Sequence, residues 1–245
     1  MKFVKFGNSL NYKALTVKLM NGKRIPKAEQ IYWSLRQAIV HLDMPPGAVI
    51  SEKDLGESFN VSRTPLREAL QRLADEDLVE IFPHSGTYVS RISFKVAQEG
   101  YVIRRALEIE SARNAARQIT DQGLAQLQVL IHEMRVILER DTLGQYLDVD
   151  DAFHSAIAAS SGYPRIWKFI AQAKVHLDRM RQLSAPVPGH LAMVTDQHEK
   201  IFHALKNRSP DQAELAMRIH LDTSFSVMAG MYEEKIALFQ DDHPH

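Results

Sequence analysis

A run of helix and strand signals across residues 50–90 constrains the fold most strongly, because the signals follow one another in a fixed order. Ser51 is a good N-cap for a short helix, which Asn60 then ends. Ser62 is a second N-cap, and Pro65 falls in the first turn that follows, where a missing N–H costs little. The sequence therefore predicts a helix, a tight turn and a second helix.

The pattern changes after Asp77, where the apolar period shifts from the 3.6 of a helix to the 2 of a strand. The β-rich runs LVEIF and TYVS flank residues 83–86, Pro-His-Ser-Gly, which favour a turn. This arrangement predicts a wing of two strands behind the two helices.

The polar side chains of the second helix agree with that geometry. Arg63, Thr64 and Arg67 lie in or near its first turn, where a recognition helix faces base edges. Arginine can donate two hydrogen bonds to guanine O6 and N7. A solvated surface helix with ordinary arginines is the alternative, and the capped helix before it and the wing after it favour DNA recognition.

SEKDLGESFNVSRTPLREALQRLADEDLVE followed by PHSGTYV resembles the winged helix-turn-helix of the GntR family of bacterial transcription regulators, and the match covers about residues 28–90. The resemblance implies binding to double-stranded DNA at a palindromic operator. It implies five DNA-contacting positions: Lys53, Arg63, Arg67, His84 and Gly86. Thr64, in the first turn of the second helix, is a sixth candidate by its position alone. Ser85 departs from the family, whose wing often has a basic residue there, so the wing is expected to add less electrostatic affinity.

The composition is that of a globular protein, since 45% of the 245 residues are apolar and 24% are charged. The chain has no cysteine, which excludes a disulfide framework and fits a cytoplasmic location. No apolar run approaches the roughly 18 to 20 residues that span a bilayer. Lys5 interrupts the first apolar run before it resembles a signal peptide, so we expect a cytosolic bacterial protein.

The formal net charge of zero conceals a basic N-terminal extension. Residues 1–27 contain seven Lys or Arg and no acid, which suits either contact with DNA phosphate or simple solvation. Residues 1–90 carry 12 bases and 10 acids, a net of +2. Because that excess is small, DNA binding must depend on where a few charges are placed.

The rest of the chain reads as almost entirely helical. Residues 28–43 show apolar side chains at helical spacing and form the support helix of the DNA-binding unit. From the end of the wing to about Gln240 we expect six or seven helices and no second strand-rich region. The fold class is therefore mainly α. The predicted domains are a basic extension at 1–27, a winged helix-turn-helix at 28–92, an all-helical bundle at 93–240 and a tail at 241–245.

Histidines occupy core positions on three of these helices. Asp150 and His154 are four residues apart and point the same way, while His198 and His220 lie on two other apolar stripes. A lone histidine of this kind is usually a hydrogen-bonded core residue. Three of them beside a carboxylate favour a metal site, because a divalent cation would neutralise a buried Asp150.

DVDDAFHSAI, DQHEKIFHAL and AMRIHL resemble the ligand-bearing segments of the FCD effector domain found in the FadR subfamily of GntR regulators. The resemblance implies that Asp150, His154, His198 and His220 bind a divalent metal. Such ligands suit zinc first, and also nickel, manganese or iron, with coordination positions left open for a small carboxylate effector.

Two arginines are further candidates. The resemblance places Arg104 where it can reach the effector carboxylate, and Arg179 in a similar role. For Arg104 a surface ion pair with Glu108 remains the alternative.

Two rival functions remain open. An open metal site could serve a metal-dependent hydrolase or lyase, although no HExxH signature is present and Glu199 should point about 100° away from His198. An architectural DNA protein would need no buried histidines. We therefore expect no enzyme but a cytoplasmic, homodimeric regulator, with repression as the expected mode, that senses a small organic acid.

Overall fold

The described part of the chain forms two compact units. In this computed structural model it comprises residues 25–140, 142–232 and 235–239. One unit lies within Met1–Ser93 and Ile236–His245, and the other within Phe94–Lys235. The predicted basic extension, up to residue 24, and the predicted tail at 241–245 lie outside the described residues.

The first unit is a winged helix-turn-helix. Its elements, in chain order, are α1 (Lys27–Val40), β1 (Val49–Ile50), α2 (Glu52–Phe59), α3 (Arg63–Ala74), β2 (Val79–Phe82) and β3 (Gly86–Val89). The mainly helical fold class predicted above is confirmed.

Local capping explains why α2 and α3 are separate helices. The hydroxyl of Ser51 accepts a hydrogen bond from the backbone N–H of Asp54, at 3.2 Å, and so begins α2. Asn60 ends it in the left-handed conformation with φ of 49°. Ser62 occupies the predicted N-cap position of α3 in an extended conformation, but its side chain makes no capping hydrogen bond.

The wing is a three-stranded antiparallel sheet in the order β1-β3-β2. The predicted hairpin of β2 and β3 is present, with Glu80 opposite Tyr88. Sequence analysis did not predict β1, whose Val49 and Ile50 pair with Tyr88 and Thr87. Two residues are too few to show the alternating pattern of a strand in the sequence. This strand is therefore defined by its pairing with β3.

A short C-terminal segment packs with the first unit. Ile236–Leu238 forms a 3₁₀ turn, and the backbone N–H of Ile92 donates to the carbonyl oxygen of Leu238 at 3.0 Å. Phe239 is buried there. The predicted bundle at 93–240 therefore extends a few residues beyond the helical unit found in the structure.

The second unit is an all-helical bundle. Its described residues contain seven α-helices: α4 (Phe94–Gln118), α5 (Asp121–Glu139), α6 (Tyr146–Ser160), α7 (Ile166–Ala173), α8 (Val175–Ser184), α9 (His190–Lys206) and α10 (Pro210–Gly230). The expectation of six or seven helices is confirmed. Among the described residues, no helix combines the length and the apolar character needed to cross a membrane.

The bundle core surrounds the middle of α6. Phe153 and Ile157 on this helix are buried with Met134 of α5, Ile201 of α9 and Met217 of α10. This packing aligns the inward faces of α6, α9 and α10, which are the helices that carry the predicted metal ligands.

Candidate metal centre and nucleic-acid interface

Four side chains from three helices converge inside the bundle. Asp150 and His154 come from α6, His198 from α9 and His220 from α10, and their nearest ligand atoms all lie within 4.8 Å of one another. All four residues are buried. Nε2 of His154 is 3.3 Å from Nε2 of His198 and 3.2 Å from Nε2 of His220. Oδ1 of Asp150 is 3.4 Å from Nε2 of His198.

The opposite ring nitrogen of each histidine faces an acceptor. Oε2 of Glu108 contacts Nδ1 of His154. Oε1 of Gln197 lies 3.1 Å from Nδ1 of His220. The third acceptor is the sulfur of Met134, 3.2 Å from Nδ1 of His198. A ring proton on Nδ1 would suit each of these contacts, and it is the tautomer that leaves Nε2 available to bind a metal.

With that tautomer, three Nε2 lone pairs are directed toward one another and toward the carboxylate of Asp150. Burial lowers the pKa of His198 to about 3, and it also lowers the pKa of His220 well below its ordinary value. Both rings are therefore neutral near pH 7, as metal ligands must be. Neighbouring lone pairs and a carboxylate repel in a buried space, and a cation among them would remove that repulsion.

A buried ionic network supports Asp150 from behind. The guanidinium of Arg181 on α8 contacts Oδ2 of Asp150 and also pairs with Asp151 and Asp178, both at 2.8 Å. Lys174 pairs with Asp151 at 2.6 Å. Burial raises the pKa of Asp150, but Arg181 and the nearby histidines outweigh it, so the pKa is lowered and the carboxylate is ionised.

Arg104 of α4 is buried, and its ion pair with Glu108 is present. Nε of Arg104 donates to Oε1 of Glu108 at 2.6 Å, and Nη2 lies 4.0 Å from Oδ2 of Asp150. Burial raises the pKa of Glu108, but Arg104 and His154 outweigh it and lower the pKa to about 2. The alternative of an Arg104–Glu108 ion pair on the surface is therefore half right: the two side chains do pair, but both are buried inside the bundle.

A small cavity adjoins the cluster. Its volume is about 20 Å³, which is close to the space of one water molecule. The polar residues that line it are Arg104, Tyr146, Asp150, Arg181, Ser184, His190, His220 and Ser224. Leu147, Leu191, Val194 and Met228 provide its apolar wall.

The structure places the two predicted effector arginines differently. Arg104 lines the cavity, whereas Arg179 of α8 is buried and is not one of the described residues that line it. Burial lowers the pKa of Arg179 to about 9. Arg181, two residues later on the same helix, lines the cavity instead. A shift of two residues turns a helical side chain by about 200°, which sequence spacing alone could not resolve here.

The predicted DNA-contacting residues are exposed on the first unit. Lys53 lies on α2; Arg63, Thr64 and Arg67 lie in the first turns of α3; and His84 and Gly86 lie at the tip of the wing. His84 has φ of 65° and Gly86 has φ of 117°. These left-handed conformations form the tight turn, and glycine adopts its own without steric cost.

Two grooves meet at Arg67. The first, of about 830 Å³, lies between α2 and α3 and is lined by Lys53, Arg63 and Arg67. The second, of about 390 Å³, lies between α3 and the wing and is lined by Arg67, His84 and Gly86. Glu52 lines both and lies 3.4 Å from Nε of Arg67. This exposed pair is weak, so Arg67 can leave it for a nucleic acid.

Sequence reasoning missed several residues around the metal centre. Gln197 and Met134 face histidine Nδ1 atoms, and Arg181 holds Asp150. Glu108 was considered only as a partner of Arg104, yet it also contacts His154.

Comparison with known proteins relates both units to one family of regulators. Residues 27–89 match the profile described as "Bacterial regulatory proteins, gntR family". Residues 99–223 match the profile described as "FCD domain". These two matches cover the winged helix-turn-helix and the bundle that holds the histidine cluster.

Curated relatives match along most of the chain. The "HTH-type transcriptional repressor RspR" of Escherichia coli (strain K12) is 35% identical over 228 residues, which cover 93% of this chain and 100% of the relative. The "HTH-type transcriptional regulator LutR" of Bacillus subtilis (strain 168) is 28% identical over 215 residues, 79% of this chain and 97% of the relative.

Solved structures with the same fold include two regulators. The structure titled "E. coli McbR/YncC" has a TM-score of 0.75 at 23% identity and covers 85% of this chain and 100% of its own. A putative GntR transcriptional regulator from Rhodococcus sp. RHA1 has a TM-score of 0.72 at 22% identity, covering 84% and 99%. At these identities the likeness establishes the fold alone.

Proposed function

Because this chain belongs to the GntR family of bacterial transcription regulators and its bundle is an FCD domain, we propose that it is a metal-containing repressor controlled by a small organic acid. Family membership makes it a DNA-binding transcription regulator rather than an enzyme. The metal, the acid and the mode of regulation are the parts that we propose.

The arrangement of the three imidazoles carries the metal proposal. Asp150, His154, His198 and His220 would hold a divalent ion, zinc first, with nickel, manganese and iron as alternatives. The ion would act as a Lewis acid toward a carboxylate oxygen. The acceptors at each Nδ1 orient the rings, as is usual around bound metals, and they keep every Nε2 lone pair directed inward.

The charges around the cavity support an acid as the effector. Arg104 and Arg181 both line it, and a guanidinium binds a carboxylate through two parallel hydrogen bonds. At about 20 Å³ the cavity is too small for an organic acid in this conformation. Binding must therefore move side chains, and the contact between Arg181 and Asp150 is the first that an incoming carboxylate would disturb.

The DNA-binding surface supports recognition of a palindromic operator by a homodimer. One copy of α3 presents Arg63, Thr64 and Arg67 to one half-site, so two half-sites require two copies. We place Lys53, His84 and Gly86 at the flanking backbone contacts. Repression is proposed by analogy with RspR, whose name describes a repressor. A regulator of this kind would act in the bacterial cytoplasm, beside its operator.

Effector binding would change operator affinity only if it favours one arrangement of the bundle. A coupling free energy of about 1 to 3 kcal/mol corresponds to a change of about 5- to 150-fold, enough to release an operator. Because linkage is reciprocal, DNA would weaken acid binding by the same factor.

The test begins with an operator fragment that the purified protein selects from random-sequence DNA. Small hydroxy, keto, sugar and dicarboxylic acids are screened by thermal shift, and each hit is titrated into the labelled complex with and without a chelator. We expect a hit to release DNA, and we expect the chelator to abolish release while some DNA binding remains. A tightly binding acid that leaves operator affinity unchanged would refute the coupling.

A further inference from the structure

Three residues that line the cavity beside the metal centre each have a buried polar side-chain atom without a hydrogen-bond partner among the described residues. These atoms are Nη2 of Arg104, Nδ1 of His190 and Oγ of Ser224. Each of the three residues is more than nine-tenths buried. A folded protein seldom leaves such atoms unpaired, and a site that binds a polar ligand is one place where it does.

His190 and Ser224 lie on the same helix faces as the metal cluster. His190 begins α9 and stands eight residues, just over two turns, before His198. Ser224 follows His220 by four residues on α10, one turn further along the same face. Both side chains line the cavity together with Arg104, Asp150 and His220. A molecule that reaches the cluster through this cavity therefore passes them.

The chemistry of the pair differs from that of the arginines. Burial lowers the pKa of His190, so its ring is neutral near pH 7. A neutral imidazole has one donor and one acceptor nitrogen, and a serine hydroxyl can both donate and accept. An alcohol on the ligand would satisfy both groups. A second carboxylate on the ligand would find no positive charge on either of these two groups. An alkyl chain on the ligand would leave Nδ1 of His190 and Oγ of Ser224 without a hydrogen-bond partner.

We propose that His190 and Ser224 bind a hydroxyl group of the effector, while Arg104 binds its carboxylate, so that the effector is a small hydroxy acid. This inference rests on the proposed function of the cavity as an acid-binding site. It gives His190 and Ser224 a role in specificity. An acid without the hydroxyl can still pair its carboxylate with Arg104, but it leaves the buried polar atoms of His190 and Ser224 without hydrogen bonds.

The test compares acids that differ by their hydroxyl groups. Full-length protein with added zinc is titrated by calorimetry with propionate and lactate, succinate and malate, and hexanoate and gluconate. In at least one pair we expect the hydroxy acid to bind about ten- to a hundredfold more tightly than its partner. Ser224→Ala should reduce that ratio to near one.

Matched variants separate recognition from folding. Ser224→Thr keeps the hydroxyl and should retain part of the preference. Ser226→Ala, on the exposed side of α10, should bind every acid as the wild type does. His190→Phe tests the second member of the pair in the same way, and circular dichroism checks that each variant is folded.

Two failures would have different meanings. If acids with and without the hydroxyl bind equally well and both release the operator, the hydroxyl assignment is overturned and the proposed function stands. If none of the six acids binds, this inference falls, and the broader acid screen with operator release then decides the proposed function separately.

Discussion

Glu108 contacts Nδ1 of His154, on the side of the ring opposite to the nitrogen that faces His198 and His220. Burial opposes the charge of this carboxylate, yet Arg104 and His154 lower its pKa to about 2, so it is ionised. An ionised acceptor fixes the ring proton on Nδ1 and makes Nε2 a better metal ligand.

The first prediction follows from that contact. Glu108→Gln keeps the size of the side chain and removes its charge, so we expect zinc affinity to fall about 10- to 100-fold. Competition with a fluorescent chelator measures the change. Glu110→Gln, on the exposed side of α4, is the control and should bind zinc as the wild type does. Equal affinities for Glu108→Gln and the wild type would show that the contact does not tune the centre.

The second prediction concerns the ligands themselves. His154→Ala and His220→Ala should each lower the metal content, and their melting temperatures should no longer respond to a chelator. In the wild type, metal present at 100 times its dissociation constant would contribute about 2.7 kcal/mol to the free energy of unfolding.

His203→Ala serves as the control for both ligand variants, because this histidine is exposed on α9. It should keep its metal and the wild-type response to the chelator. If the purified wild-type protein contains no metal and a chelator does not change its melting temperature, the cluster is only a polar part of the core.

The third prediction distinguishes two arginines by their positions. Arg104→Lys keeps the positive charge but loses the planar fork, so affinity for the acid found in the screen should fall about tenfold. Arg179→Lys should leave that affinity nearly unchanged, because Arg179 is not one of the described residues that line the cavity. Calorimetry measures both. An equal loss in the two variants would refute the placement of the carboxylate at Arg104.

Operator recognition gives the fourth prediction. Arg63→Ala and Arg67→Ala should each cost about 1 to 3 kcal/mol of specific binding while the protein stays folded, as expected for a lost base contact. Fluorescence anisotropy at a fixed salt concentration measures the loss. Arg140→Ala, exposed in the helical unit, should bind the operator normally. Unchanged affinity and footprint in both α3 variants would remove α3 as the recognition helix.

Much of this fold could be predicted from sequence, because its helices have local signals. Ser51 and Asn60 mark the ends of α2 by capping and turn chemistry, and the buried histidines follow the apolar period of their helices. The outcome for β1 was different: Val49 and Ile50 form a strand only because Tyr88 and Thr87 are beside them.

The surroundings of the candidate site were less predictable for a related reason. The spacing of Asp150 and His154 is local, but the partners of the cluster depend on how helices pack. Glu108 and Met134 reach the histidines from α4 and α5, and no periodicity in the sequence places them there. The choice between Arg179 and Arg181 likewise depends on the rotation of α8 against its neighbours.

We propose that a divalent metal binds among Asp150, His154, His198 and His220. Anomalous diffraction from crystals of the purified protein, collected on both sides of the zinc absorption edge and then at those of nickel, iron and manganese, tests it most directly. We expect one strong anomalous peak among the three Nε2 atoms and the carboxylate of Asp150, at about 2.0 to 2.2 Å from each ligand if the ion is zinc. Crystals that show no peak there at any of these edges, even after soaking with the metals, would contradict it.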